Sequence, residues 1–287
     1  MRLWLTSGSL KEERVQTIHC VDRGSWVELS FPDPAEDILP GSSWGKADEL
    51  FTSAYWAAIG RSEAPSAIGA KRLGETLIEE VSACLLGGYG IPAEIGLAAF
   101  DRVLDSGLLA EESPAEEAIL EVLSAPLTVG NRSARYRFAR QKSHYLANAI
   151  RRIQSATPPL DQGVVLRDWL REIPGIGWKT ASWVARNWLD ADDVAILDIH
   201  VVRAGQLAGV FGTDARLPRD YRGLESLFVE WSFALGVRPS VLDTVIWREM
   251  RSSPHLVAKA LEAMANFRQP KGEDDSHKSS PPPLVDK

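Results

Sequence analysis

The chain has 287 residues, 45% hydrophobic and 25% charged, a composition that can bury a sizeable core in one or two domains. No stretch approaches the ~20 consecutive apolar residues needed to span a bilayer, and Met1–Thr6 lacks the apolar core of a secretory signal, so a soluble intracellular protein is expected. A net charge of −7 taken alone argues mildly against a nucleic-acid partner, because phosphate contacts need local positive charge.

Val15–Cys20 and Trp26–Phe31 are β-prone runs on either side of Asp22-Arg23-Gly24, which predicts a short β-hairpin in a strand-containing cap over residues 1–45. After Asp33-Pro34 and Pro40-Gly41 the pattern turns helical. Helices are expected at Ala70–Leu86, closing at Gly87-Gly88, then from Pro92 to Gly107, at Glu116–Leu123 and at Arg135–Ile153. Cys20 and Cys84 lie far apart in apolar surroundings, which argues for buried thiols and against a disulfide, a zinc site or an iron–sulfur cluster. From Asn131 to Gln154 the chain carries Arg132, Arg135, Arg137, Arg140, Lys142, Arg151 and Arg152 without one Asp or Glu. This basic segment reads either as a solvated face or as a contact for an anionic partner.

Ser155–Gly163, with Pro158-Pro159, is a connection, followed by helices near Val164–Arg171, Trp178–Asn187 and Ile199–Ala208. Ser240 followed by Asp243 resembles a capping box opening a helix to Arg251, which gives Asp243 a structural explanation of its own. Residues 269–287 lose nearly all apolar character and are expected to be a disordered tail. The fold class is mainly α.

The informative stretch runs from Leu170 through Ile173-Pro-Gly-Ile-Gly177 and Trp178-Lys179 to Asn187, and reads as helix, tight turn, helix. Pro174, Gly175 and Gly177 break the first helix and let the backbone approach a bulky neighbour. The amides opening the second helix are then free to bind an anion such as a DNA phosphate. Nineteen positions after Lys179, Asp198 follows the apolar run Ala195–Leu197 and precedes a helical one, the place of an N-cap.

This stretch resembles the helix-hairpin-helix of DNA glycosylases, with Ile173 where that pattern has Leu. The resemblance implies two helical subdomains flanking a DNA-binding cleft, and it assigns roles. Asp198 would stabilise positive charge developing on the sugar and help activate the nucleophile. Lys179, two residues after the second hairpin glycine, matches the bifunctional members, in which a lysine amine attacks C1′ and the Schiff base permits strand cleavage. Gly175, Gly177 and Trp178 would meet the DNA backbone, His200 a phosphate, and Arg132 and Arg135 the DNA; Asn131, beginning the basic helix, would fill the gap left by the flipped base, although a helix cap also explains an Asn there. The family often holds a monovalent cation, K+ or Na+, here expected at the carbonyls of Ile173 and Ile176; no catalytic metal or other cofactor is expected.

A base must leave the stack before its glycosidic bond is attacked, and its pocket combines an aromatic stack with polar readers. Trp183, four residues after Lys179, shares its helix face, although such a tryptophan is also an ordinary core residue. The segment Leu242–Arg251 resembles the late helix of 8-oxoguanine DNA glycosylases, and so do Tyr136–Lys142 and Gly87–Pro92. By that resemblance Trp247 would pack on the base and Asp243 would accept hydrogen bonds from its edge. The similarity covers Trp44 to Arg251. It implies a DNA glycosylase acting on double-stranded DNA, with 8-oxoguanine the leading substrate and AP lyase activity through Lys179. The chain is expected to be monomeric, cytoplasmic and associated with a bacterial nucleoid. Three other readings stand beside it: another modified base such as a bulky phage-type cytosine in anti-phage defence, a monofunctional enzyme in which Asp198 activates water, and a noncatalytic DNA-binding module. The expected subdomains are residues 46–124 with 212–268, and residues 125–211 around the hairpin.

Overall fold

The computed structural model describes residues 15–22, 25–63, 71–88 and 90–268. The expected tail at 269–287, Arg23-Gly24 of the first turn and Tyr89 lie outside them. The chain opens with an antiparallel hairpin, β1 (Gln16–Asp22) and β2 (Ser25–Phe31), in the register Ile18↔Leu29. Period-two alternation lays Ile18 and Leu29 on the core and leaves Trp26 77% exposed. Two short strands, β3 (Asp37–Leu39) and β4 (Ser42–Ser43), form a second hairpin.

Helices make up most of the remaining chain, and the first two are opened by side-chain caps. In α1 (Ser53–Ser62) and α2 (Leu77–Leu86) the Thr52 and Thr76 hydroxyls accept from the amides of Tyr55 and Glu79. Then come α3 (Ala93–Asp105), α4 (Glu116–Ser124), the hairpin β5 (Leu127–Val129) and β6 (Arg132–Ala134), and α5 (Ala139–Ser155). The hairpin-bearing helices are α6 (Gly163–Leu170) and α7 (Trp178–Leu189), followed by α8 (Ile199–Leu207), α9 (Tyr221–Ala234), α10 (Pro239–Ser252) and α11 (Pro254–Arg268). Among the described residues no helix is long and apolar enough to cross a membrane.

Two hydrophobic cores divide the chain. One is built by residues 31–58 and 195–257, with Trp56, Phe228 and Trp231 fully buried; the other by residues 81–194, around Leu85, Leu146, Ile150 and Leu170. This corrects the expected grouping of 46–124 with 212–268 against 125–211. α2 packs on α5 and α7, α4 on α5, and α3 on α2 and α4, so all three join the hairpin's core. The buried face of α8, Val201, Val202 and Ala204, belongs to the opposite core and packs on α10 and α11. The chain crosses between cores at Val194-Ala195, three residues before Asp198.

Three local expectations are also corrected. Asn131 does not open the basic helix: it occupies, with Gly130, the two-residue turn of β5 and β6, where Val129 pairs Arg132 and Gly130 takes a φ of 56°. Ser240 does not cap α10, because Pro239 already occupies its first turn and Arg238 stands at the cap; the Ser240 hydroxyl is buried without a hydrogen-bond partner among the described residues. Lys142, counted with the basic surface, turns inward and donates to the Leu85 carbonyl at 2.7 Å, while Tyr136 donates to that of Leu86 at 2.6 Å. Together they satisfy carbonyls that the end of α2 leaves open, and burial lowers the Lys142 pKa.

Candidate active site

The hairpin turn is built by Ile173-Pro174-Gly175-Ile176, closed by the Ile176 amide donating to the Ile173 carbonyl at 3.1 Å. Gly175 has a φ of 86°, and a Cβ there would stand 2.1 Å from the Tyr145 ring of α5. Only glycine gives both the positive φ and the close approach. Gly177 caps α7 with nothing near its missing side chain, and no side chain caps that turn. The first amides of α7 are therefore presented to solvent beside the positive end of the helix dipole, a place suited to a phosphate.

Lys179 projects from this first turn, and its Nζ stands 3.7 Å from Asp198 Oδ2, with the lysine side chain 38% and the aspartate 14% exposed. Asp198 is the N-cap of α8: its Oδ1 accepts from the amides of His200 at 2.8 Å and Val201 at 3.2 Å, leaving Oδ2 toward Lys179. The capping role and the pairing with Lys179 therefore use different oxygens. His200 sits in the same turn, and its Nδ1 is buried without a hydrogen-bond partner among the described residues.

The other predicted residues fare unequally. Trp183 is half-buried and packs over Gly87, where a Cβ would lie 3.6 Å from the indole edge. Trp247 is 40% exposed, with the Arg251 guanidinium 4.8 Å from its ring centre. Arg132, Arg135 and Asn131 are exposed around the β5–β6 turn. Trp178 is not a free DNA contact: its ring stacks on Tyr221 at 5.9 Å and carries the Arg171 and Arg167 guanidinium groups at 4.4 and 5.3 Å. Large aromatic area and stacked cations make it a seam residue between the cores.

Asp243 is corrected as well. It is 3% exposed, its Oδ1 accepts from Arg186 Nη1 at 2.6 Å and Thr244 Oγ1 at 3.1 Å, and its Oδ2 accepts from the Ile196 amide at 3.1 Å. A carboxylate so enclosed has no face for a base edge. Sequence reasoning missed its counterpart, Glu225 of α9, which is 1% exposed and accepts from Arg167, from Ser182 Oγ at 2.5 Å and from the Ala195 amide at 3.2 Å. Burial pushes both carboxyls above the ordinary carboxylate range, against the pull of Ser182 and Arg167 on Glu225 and of Arg186 on Asp243. A signal existed: Lys179, Ser182 and Arg186 recur at i, i+3 and i+7, a polar stripe along α7.

The carbonyls expected to hold a monovalent cation are both engaged. That of Ile173 accepts the Ile176 amide, and that of Ile176 accepts Arg171 Nη1 at 3.0 Å. A guanidinium at the second oxygen would repel an ion sharing it. Arg171 therefore competes with a cation at the Ile176 carbonyl, while the Ile173 carbonyl keeps a second lone pair.

Comparison with known proteins bears on the same segment. A family described as 8-oxoguanine DNA glycosylase matches residues 66–237. An 8-oxoguanine DNA glycosylase/AP lyase of Thermoplasma volcanium is 29% identical over 178 residues, 60% of this chain and 79% of the relative. One from Sulfurisphaera tokodaii is 30% identical over 122 residues, 40% of this chain and 59% of the relative. Among solved structures, the Methanocaldococcus jannaschii 8-oxoguanine glycosylase/lyase bound to a 15mer DNA containing 8-oxoguanine aligns with a TM-score of 0.47 and 25% identity, over 61% of this chain and 81% of that one.

Proposed function

Because the chain belongs to the 8-oxoguanine DNA glycosylase family, we propose that it binds double-stranded DNA, extrudes 8-oxoguanine and excises it, then opens the strand as an AP lyase. The pairing of Lys179 with the half-shielded Asp198 at 3.7 Å is the observation that carries this reading. Names of relatives that are both glycosylase and AP lyase support the substrate and the second activity.

The Lys179 amine, having given up a proton, attacks C1′ of the extruded nucleotide. The bond from C1′ to the base breaks, and the base leaves with the bonding pair and takes up a proton. Asp198 Oδ2, 3.7 Å from the amine, stabilises the positive charge that develops on the sugar. The amine–C1′ adduct opens to a Schiff base as the C1′–O4′ bond breaks and the ring oxygen takes up a proton, and loss of the C2′ proton to solvent expels the 3′ phosphate. The first turn of α7 from Gly177, with His200, holds the backbone phosphates. The exposed Asn131, Arg132 and Arg135 approach the strand from the β5–β6 turn. Trp183 and Trp247 remain the aromatic candidates for the base pocket, without Asp243. The scheme asks for no residue of a second chain, and a monomer is part of the proposal.

Borohydride reduction tests it. Wild-type protein on a duplex containing 8-oxoguanine is expected to give a covalent protein–DNA adduct that Lys179→Gln does not form. Released base without any adduct would instead make Asp198 an activator of water and leave Lys179 a contact for DNA.

A further inference from the structure

Three consecutive amides lead into Asp198, and each is held by a different buried side chain. Ala195 donates to Glu225 Oε1 at 3.2 Å, Ile196 to Asp243 Oδ2 at 3.1 Å and Leu197 to the Tyr221 hydroxyl oxygen at 3.1 Å. The same hydroxyl donates to the Ala195 carbonyl at 3.0 Å. The segment belongs to no strand or helix, so nothing else would satisfy these amides as the chain crosses between cores.

The acceptors are themselves anchored from the hairpin side. Arg167 and Ser182 hold Glu225, and Arg186 holds Asp243. Arg186 is braced by Asn187 Oδ1 at 3.1 Å, and Asn187 donates to Glu80 Oε1 at 2.9 Å on α2. A crossing segment needs acceptors, but neutral ones would serve. Enclosing two carboxylates and two guanidinium groups carries a desolvation cost that apolar packing avoids. What the charged arrangement adds is direction: α7, the helix that carries Lys179, also fixes the acceptors that fix the backbone of Asp198.

We propose that Glu225, Asp243 and Tyr221 are positioning residues for Asp198, locking the three peptide planes before it so that Oδ2 faces Lys179 while Oδ1 caps α8. None of them touches substrate. This rests on the proposed roles of Asp198 and Lys179. A carboxylate displaced by about an ångström loses much of its effect on a transition state, so loosening the clamp slows chemistry more than binding.

The test is a double-mutant cycle in the full-length protein, using single-turnover base release from an 8-oxoguanine duplex and affinity for a duplex carrying a tetrahydrofuran abasic analogue. Tyr221→Phe removes one hydroxyl and keeps the ring that stacks on Trp178, so it decides the matter even if Asp243→Asn does not fold. Tyr221→Phe is expected to slow base release by on the order of ten- to a hundredfold with affinity unchanged. The same substitution made on Asp198→Asn is expected to have little further effect, because the group being positioned is gone. An equal slowing in both backgrounds, or none in either, would overturn the positioning role. If Asp198→Asn alone keeps the wild-type rate, the reading of Asp198 fails first, and the cycle shows this separately.

Discussion

Among the acid–base pairs that join the hairpin core to its neighbour, three differ in how much water they meet. Arg167–Glu225 and Arg186–Asp243 are shut away, with every side chain at most 9% exposed, whereas Lys179–Asp198 is 38% and 14% exposed. The shut pairs make close hydrogen bonds and have their remaining acceptors matched by backbone amides. The open pair stands 3.7 Å apart, with Asp198 Oδ2 left to the lysine. Pairs of the same chemistry, two of them with their cation on α7, thus serve opposite ends: enclosed, they fix a backbone, and half-open, they are left for chemistry.

The comparison breaks most readily at Arg186. Arg186→Met would leave Asp243 enclosed without its counter-charge, and a loss of about 3–5 kcal/mol in stability is expected by urea unfolding. A loss below about 1 kcal/mol would mean that the enclosed pair holds no more than a surface pair does.

Legibility in the sequence divides along the same line. Lys179 and Asp198 are legible because the turn Ile173–Gly177 before the lysine and the apolar run Ala195–Leu197 before the aspartate leave marks in sequence order. The enclosed partners are not, because Arg167, Arg186, Glu225 and Asp243 meet only through folding, across sequence separations such as the 57 positions from Arg186 to Asp243. Asp243 was read as a base contact by its place on a resembling helix, and packing gave it Arg186 instead. Helices with strong periodicity, such as α4, α6, α7 and α8, stand close to where the sequence puts them. The turn at Asn131 was hidden in a basic run because its pairing strands are only three residues each.

On the open pair, Asp198→Asn keeps an oxygen to cap α8 and removes only the charge. Base release is expected to fall about a hundred- to a thousandfold, with the protein still folded and still binding abasic-analogue DNA. Wild-type turnover in this variant would assign the chemistry elsewhere.

Acidity separates the pairs in another way. Asp243 faces Arg186, Thr244, the Ile196 amide and the more distant Asp198, and burial dominates, raising its carboxyl. The folded chain then holds this proton more tightly than the unfolded chain. Its contribution to stability is full below the ordinary carboxylate value of about 4 and is lost as pH rises through the raised value. The stability of wild type relative to Asp243→Asn should therefore decline with rising pH. A relative stability that grows with pH would show that Arg186, not burial, sets this carboxyl.

Lys179→Met gives the mirror of the first substitution: stability is expected to change by less than about 1 kcal/mol although adduct formation disappears. A thermal or urea midpoint shifted as far as that of Arg186→Met would make the open pair structural too.

The smallest effect expected is none, and it concerns the charge that the hairpin carries for itself. Arg171 lies against Trp178 and donates to the Ile176 carbonyl at 3.0 Å, supplying positive charge where the family's monovalent ion would sit. Replacing K+ by tetramethylammonium at constant ionic strength should leave affinity for abasic-analogue DNA unchanged. In Arg171→Met the carbonyl is free, and K+ should then bind more strongly than tetramethylammonium and support tighter DNA binding. Affinity in the wild type that follows K+ would show that the guanidinium and an ion share this turn, and the hairpin would then depend on its solution as well as on its sequence.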